Sequence, residues 1–181
     1  MRWKALFEDI EAQAEAAARA DLETEVRDRT RREGALVSAA DRLRPAVGLP
    51  LVVTLLGAGA VAARLVDVGP QWLLLDQPGH ELVVPYAAVL SITGLTRRAE
   101  PTAGEVARRL DLRWALRGLA RDRAPLSVVL VDGTTLAGTL DRVGADHVEL
   151  AEHAPGELRR ATAVRGVRLV PLSALALLRS S

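Results

Sequence analysis

Four arginines lie close together near the end of the chain, in the segment AEHAPGELRRATAVRGVR. A guanidinium group stays positively charged at physiological pH and can donate two parallel hydrogen bonds to a phosphate. Several of them on one loop therefore predict a site for the RNA backbone, where each phosphate contact adds salt-sensitive affinity. The alternative is a solvated loop whose arginines pair with Glu152 and Glu157. The candidate nucleic-acid-binding residues are Arg159, Arg160, Arg165 and Arg168.

The segment Gly57-Ala58-Gly59-Ala60-Val61-Ala62 matches a relaxed form of the dinucleotide-binding fingerprint. In that motif the glycines open a helix against a pyrophosphate, and an acidic residue about 20 positions later binds the ribose. Asp76 stands near that distance, so one alternative is a nucleotide-binding enzyme that uses Gly57-Ala58-Gly59. The uncharged stretch 46–63 around the same glycines also reaches the minimum length of a membrane span.

Other side chains offer little chemistry. The chain has no cysteine, which excludes disulfides, thiolate metal sites and a cysteine nucleophile. We predict no catalytic residue, no cofactor and no metal. Trp72 and Tyr86 are the candidate partner-binding residues, because large aromatic side chains anchor many protein interfaces. The alternative places both of them in the core.

The overall charge does not attract a polyanion. Lys and Arg number 24 against 23 Asp and Glu, a net charge of +1, so any binding to RNA must be local. Hydrophobic residues make up 49% of the 181, which is enough for a buried core. The N-terminal segment carries Glu8, Asp9 and Glu11 where an export signal needs an apolar stretch. We therefore expect a cytoplasmic protein without a membrane partner.

An internal repeat predicts how the glycine-rich segment folds. Residues 51–75 align without a gap with residues 126–150, and 81–92 match 167–178 after a longer loop in the second copy. In the second copy, Asp132-Gly133-Thr134-Thr135 stands where the first has its glycines, and Asp-Gly between alternating apolar residues indicates a β-hairpin. Both copies therefore predict two antiparallel strands, which argues against a membrane helix and against a nucleotide-binding helix.

The elements around the repeats predict a mainly β fold with α. An amphipathic helix at the N-terminus precedes two tandem five-stranded small barrels, each with a short leading helix and a small residue where its second strand bends. The predicted domains are the N-terminal helix over 1–34, the first barrel over 35–95, a linker and helix start over 96–109, and the second barrel over 110–181.

The segments LVDGTTLAGTLDRVGADHVEL and VRLVPLSAL resemble the Sm-like/SH3-like small barrels. The chain is also similar to an uncharacterised actinobacterial family that shares RTRRE and VDVGPQWLLL. RNA-binding members of the barrel family carry an acidic residue and an Asn beside the turn after the second strand, and Arg-Gly before the last strand. Here Asp146 and His147 stand at that turn without the Asn, and Arg165-Gly166 precedes the fourth strand.

These observations predict a non-enzymatic interaction module whose partner is RNA or a ribonucleoprotein. An alternative is a protein-protein adaptor that self-associates through the apolar stripe of its N-terminal helix, which includes Trp3, Phe7 and Ile10. The nucleotide-binding enzyme is the third alternative.

Overall fold

The computed structural model describes residues 25, 27, 29, 31, 34–96, 98–100, 110–157, 159, 160 and 162–180. The predicted helix over 1–34 falls mostly outside these residues, and those described between 25 and 35 are helical. Ala39–Ser181 forms one compact unit, which contains both sequence repeats. None of the helices described has the length and hydropathy that crossing a bilayer requires.

The first repeat is a short helix followed by five antiparallel strands. Leu51, Val53 and Leu55 are buried along the first strand, the alternation expected of a strand with one face on a core. A 3-10 turn at Tyr86–Ala88 connects the last two strands. The elements are α1 (Ala39–Leu43), with a 3-10 turn at Arg44–Ala46, β1 (Pro50–Leu55), β2 (Gly59–Val68), β3 (Trp72–Gln77), β4 (His80–Pro85) and β5 (Val89–Thr93).

The second repeat has the same order of elements. Its helix begins after Asp111 and ends at Arg123, which has a left-handed backbone with φ of 49°. A 3-10 turn at Leu172–Ala174 again connects the last two strands. The elements are α2 (Leu112–Asp122), β6 (Leu126–Leu130), β7 (Thr135–Val143), β8 (His147–Glu152), β9 (Gly166–Pro171) and β10 (Leu175–Ser180).

The glycine-rich segment is the turn of an antiparallel hairpin. β1 pairs with β2, and Leu55 lies opposite Gly59, so the prediction from the internal repeat is confirmed. Gly57 and Gly59 both have positive φ, a conformation that glycine adopts without steric cost. Because Gly59 begins a strand, the chain has no helix at the place where the dinucleotide fingerprint requires one.

The ten strands form one antiparallel sheet in the order β5-β1-β2-β3-β4-β10-β6-β7-β8-β9. Each repeat places its fifth strand beside its first, and the repeats join where β4 pairs with β10. The register shifts between Leu65 and Asp67 in β2 and between Leu140 and Arg142 in β7, which are equivalent positions of the repeats. The mainly β fold with five strands in each repeat is confirmed, whereas the junction between the repeats was not predicted.

Two hydrophobic cores lie on the sheet, and each takes side chains from both repeats. The first core consists of side chains from α1 to β4, together with Leu177 from β10. The second core is built on β6 to β10 and α2, and it includes Trp72 and Val83 of the first repeat. The two repeats therefore depend on one another for burial, although each repeats the same sequence pattern.

Candidate nucleic-acid interface

The loop that carries the predicted arginines connects β8 to β9. Glu152 lies opposite Gly166 in the strand register, so the loop leaves and returns at adjacent positions. Its base is closed by the Arg165 backbone N–H, which donates to the Glu152 carbonyl oxygen at 2.8 Å. A turn at its tip is held by the Ala163 N–H, which donates to the Arg160 carbonyl oxygen at 2.9 Å. Three of the four arginines therefore lie in the β8–β9 loop, and Arg168 lies in β9.

Arg159 is anchored to the sheet by a bidentate ion pair. Its Nε and Nη2 donate to Oδ1 and Oδ2 of Asp141, each at 2.6 Å. The hydrogen bonds and the charge of Asp141 raise the pKa of Arg159 further above its usual value. Sequence reasoning missed Asp141 because it lies on β7, and only the path of the loop brings it to the arginine.

Arg168 is paired within the sheet. Its Nε donates to Oε1 of Glu152 on the neighbouring strand β8, and this hydrogen bond raises the pKa of the arginine. Glu152 is one of the two acidic residues that are expected to pair with these arginines if the loop is only a solvated loop. Arg159 in the loop and Arg168 on β9 therefore have their charges balanced by carboxylates of β7 and β8.

Arg160 and Arg165 face a different environment. Both line an open cavity of about 590 Å³ together with Glu157 and the tip residues 162–164. Within the part of the chain that the structure describes, neither guanidinium is hydrogen-bonded or ion-paired to an acidic side chain. The predicted set therefore divides into two arginines paired with carboxylates and two whose guanidinium groups are available to a ligand.

Trp72 lies between the repeats, with 4% of its surface exposed. Its Nε1–H donates to the Leu110 carbonyl oxygen at 2.8 Å, and its ring stacks on that of Trp114 with centroids 6.4 Å apart. The ring also covers Gly69, where an added Cβ would overlap the indole, and His147 covers Gly144 in the same way in the second repeat. The indole of Trp72 therefore makes its hydrogen bond and its ring contact within the chain.

Tyr86 is half-buried against the first core. Burial raises the pKa of its hydroxyl, and this effect exceeds the opposite influence of the nearby Arg44. The ring also borders a second cavity of about 460 Å³, at the junction of the repeats, where Gln71, Leu112 and Leu172 line the wall. A role for Trp72 or Tyr86 in holding a partner stays a prediction.

Asp111 positions the helix that carries Trp114. Its Oδ1 accepts the Trp114 backbone N–H at 2.8 Å, the geometry of an N-cap, and its Oδ2 accepts Nη2 of Arg113 at 2.7 Å. Burial raises the pKa of Asp111, but the hydrogen bonds from Arg113 and Trp114 outweigh it and lower the pKa below its usual value of 3.8. The ionised carboxylate therefore stabilises the fold above that pH, and its contribution is lost as the pH falls through the lowered pKa.

Replacing Asp111 by Ala should lower the free energy of unfolding at neutral pH by about 1 kcal/mol, the usual value of a helix cap. Asp111→Asn is the matched control, because its amide oxygen can still accept the Trp114 N–H and only the charge is lost. Urea unfolding at pH 7 and again well below pH 3.8 measures both effects. If wild type keeps its advantage over Asp111→Asn in acid, the charge of Asp111 does not contribute to stability.

Comparison of the sequence with models of protein families finds none that matches, and comparison with curated proteins finds no match.

Proposed function

We propose that the protein is a non-enzymatic cytoplasmic interaction module that binds RNA, free or in a ribonucleoprotein, through the β8–β9 loop. One observation carries this proposal: Arg160 and Arg165 line one open cavity, while Arg159 holds the same loop to β7. Because the loop is already anchored, it loses little conformational entropy when Arg160 and Arg165 bind a ligand, and this favours affinity.

We also propose that each repeat is a small five-stranded barrel of the Sm-like/SH3-like kind. Three features support this: the fifth strand lies beside the first, the second strand is irregular at the same position in both repeats, and the side chains of β1 alternate between core and solvent. Because β4 pairs with β10 of the other repeat, the first barrel is open between its fourth and fifth strands. In such a barrel the loop between the third and fourth strands stands at one end, and in the second repeat this is the arginine-bearing loop.

Phosphate contact is the mode of binding that fits these residues. Base stacking needs exposed aromatic rings, and the chain has only three Trp, one Tyr and one Phe. Trp72 is buried between the repeats, and the Arg-Gly pair of the loop precedes the fourth strand rather than the last. Recognition would therefore depend little on base sequence and strongly on salt.

The test is the salt dependence of binding to a fluorescent single-stranded RNA of mixed sequence. A plot of the logarithm of the association constant against the logarithm of salt concentration has a negative slope. Replacing both Arg160 and Arg165 by Ala should reduce the magnitude of this slope by about 1.4, because each lost phosphate contact on a single strand contributes about 0.7. The matched control is the double variant Arg121→Ala with Arg142→Ala, which removes the same charge from two exposed positions outside the loop.

Two results would contradict RNA binding through this loop. One is the absence of binding by wild type at low salt. The other is an equal loss of slope in the loop variant and in the control, since that would show an effect of overall charge.

A protein-protein adaptor is the second candidate function. Its predicted surface, the apolar stripe of the N-terminal helix, lies outside the described residues. The observation that favours an adaptor is elsewhere, on the two outermost strands of the sheet, where Leu90, Val167 and Leu169 are exposed.

A further inference from the structure

The cavity beside the β8–β9 loop carries charges of both signs. Arg160 and Arg165 line it with guanidinium groups, and Glu157 lines it with a carboxylate. All three residues are exposed. Among the residues that the structure describes, the Glu157 carboxylate forms neither a hydrogen bond nor an ion pair, whereas the carboxylates of Asp141 and Glu152 are both paired. The cavity therefore offers one negatively charged acceptor beside two positively charged donors.

The backbone of the loop sets the position of Glu157. Its N–H donates to the Ala154 carbonyl oxygen at 3.2 Å, which closes a turn at the start of the loop. The next turn begins at Arg160, whose carbonyl oxygen accepts the N–H groups of Ala163 and Val164 at 2.9 and 3.2 Å. These two successive turns place a carboxylate and a guanidinium on the same cavity.

A carboxylate in this cavity lowers its affinity for a bare phosphate. Like charges repel, so an acidic group beside the arginines cancels part of their attraction for an anion. A ligand that presents only phosphates would therefore bind better without Glu157. The carboxylate becomes favourable when the ligand also presents a hydrogen-bond donor close to its phosphates, because an ionised acceptor forms a stronger hydrogen bond than a neutral one.

RNA carries such a donor in its ribose 2′-hydroxyl. In each nucleotide of a strand this hydroxyl lies near the backbone phosphates, and it is the group by which a protein distinguishes RNA from DNA. Acidic side chains also bind ribose hydroxyls in dinucleotide-binding proteins. The cavity of about 590 Å³ lies within the range of about 300–1,000 Å³ that is usual for ligand sites, so it has room for a nucleotide.

We propose that Glu157 makes the β8–β9 loop selective for RNA over DNA. Its carboxylate accepts a hydrogen bond from a ribose 2′-hydroxyl, while Arg160 and Arg165 bind the phosphates on either side of that ribose. The inference rests on the proposed function of the loop and adds a sugar contact to its two phosphate contacts. Sugar and phosphate contacts carry no information about the bases, so binding remains independent of base sequence.

Competition among three single-stranded oligomers of one mixed sequence tests the sugar contact. The oligomers are RNA, 2′-fluoro RNA and DNA. Fluorine at the 2′ position preserves the sugar pucker of RNA and removes the hydrogen-bond donor. Wild type should bind RNA about 10-fold more tightly than either of the other two, the effect of one hydrogen bond to a charged acceptor. The salt dependence should be equal for all three, because they carry the same phosphates.

Glu157→Ala should abolish this preference through opposite changes in the two affinities. DNA should bind about 3-fold more tightly, because a repulsive charge is lost. RNA should bind about 3-fold more weakly, because the lost hydrogen bond outweighs that gain. Glu157→Gln should show an intermediate preference, since its amide oxygen is an uncharged acceptor.

Asp122→Ala is the matched control. It removes the same charge from an exposed position outside the loop, and it should retain the preference of wild type for RNA.

Two results would overturn the selectivity of Glu157 alone: equal affinity of wild type for RNA and 2′-fluoro RNA, or a preference for RNA that Glu157→Ala retains. The proposed function survives both results if the oligomers bind and the joint replacement of Arg160 and Arg165 by Ala still reduces the salt dependence. Absence of binding by all three oligomers at low salt would overturn the proposed function together with this inference.

Discussion

Replacing Trp72 by Ala is expected to lower the free energy of unfolding by about 3–5 kcal/mol, the range for removing a large aromatic side chain from a packed core. Trp72 lies on β3 of the first repeat, but its ring belongs to the core of the second. Its loss would leave a cavity between the repeats and remove the donor that satisfies the Leu110 carbonyl oxygen. Both effects weaken the contact that joins the two halves of the sheet.

Urea unfolding followed by circular dichroism measures this loss, and two variants separate its causes. Trp72→Phe retains an aromatic ring and loses the indole donor, so a loss of about 1–2 kcal/mol is expected. Trp114→Ala removes the half-exposed stacking partner and should cost only about 0.5–1.5 kcal/mol. If Trp72→Ala costs no more than Trp114→Ala, the indole does not hold the repeats together.

Gly57→Ala is expected to destabilise the protein by about 3 kcal/mol, although Gly57 lies at the tip of a turn. An alanine with the φ of 68° found here costs about 1–2 kcal/mol. In addition, its Cβ would overlap the Leu130 carbonyl oxygen and lie 2.7 Å from the Gly133 nitrogen. These are backbone atoms of the equivalent turn in the second repeat, which cannot move aside as a flexible side chain would, and such overpacking adds about 1–3 kcal/mol.

Gly59→Ala is the matched control, because Gly59 has nearly the same φ, 69°, and an added Cβ meets no atom within 4 Å. It should cost only about 1–2 kcal/mol, from the backbone conformation alone. Thermal unfolding of the two variants side by side measures the difference. Equal losses would mean that the two hairpin turns do not touch in solution.

The sequence explains only part of the glycine motif at Gly57 and Gly59. The Asp132-Gly133 turn of the second copy was enough to predict a hairpin at Gly57–Gly59, because a two-strand turn is set by local backbone preferences. The reason why Gly57 in particular must lack a side chain was not predictable. It depends on a backbone that lies far away in the sequence.

The candidate site was also only partly predictable from the sequence. The cluster of arginines was visible in the sequence, and so was an acidic partner in Glu152. Which arginines are paired depends on how the loop crosses β7, since a bidentate contact with Asp141 requires two carboxylate oxygens at the correct distance. Composition and spacing carry no information about such a crossing.

The internal repeat, the order of the elements and the alternation of buried side chains along β1 could be predicted from the sequence, because these follow from preferences acting over a few residues. The pairing of β4 with β10, the entry of Trp72 into the core of the other repeat and the position of β5 and β9 at the edges could not, because each depends on contacts between distant parts of the chain. Ten similar apolar strands can pair in many orders with nearly equal local energies. The order that forms is the one in which both repeats together bury their apolar side chains.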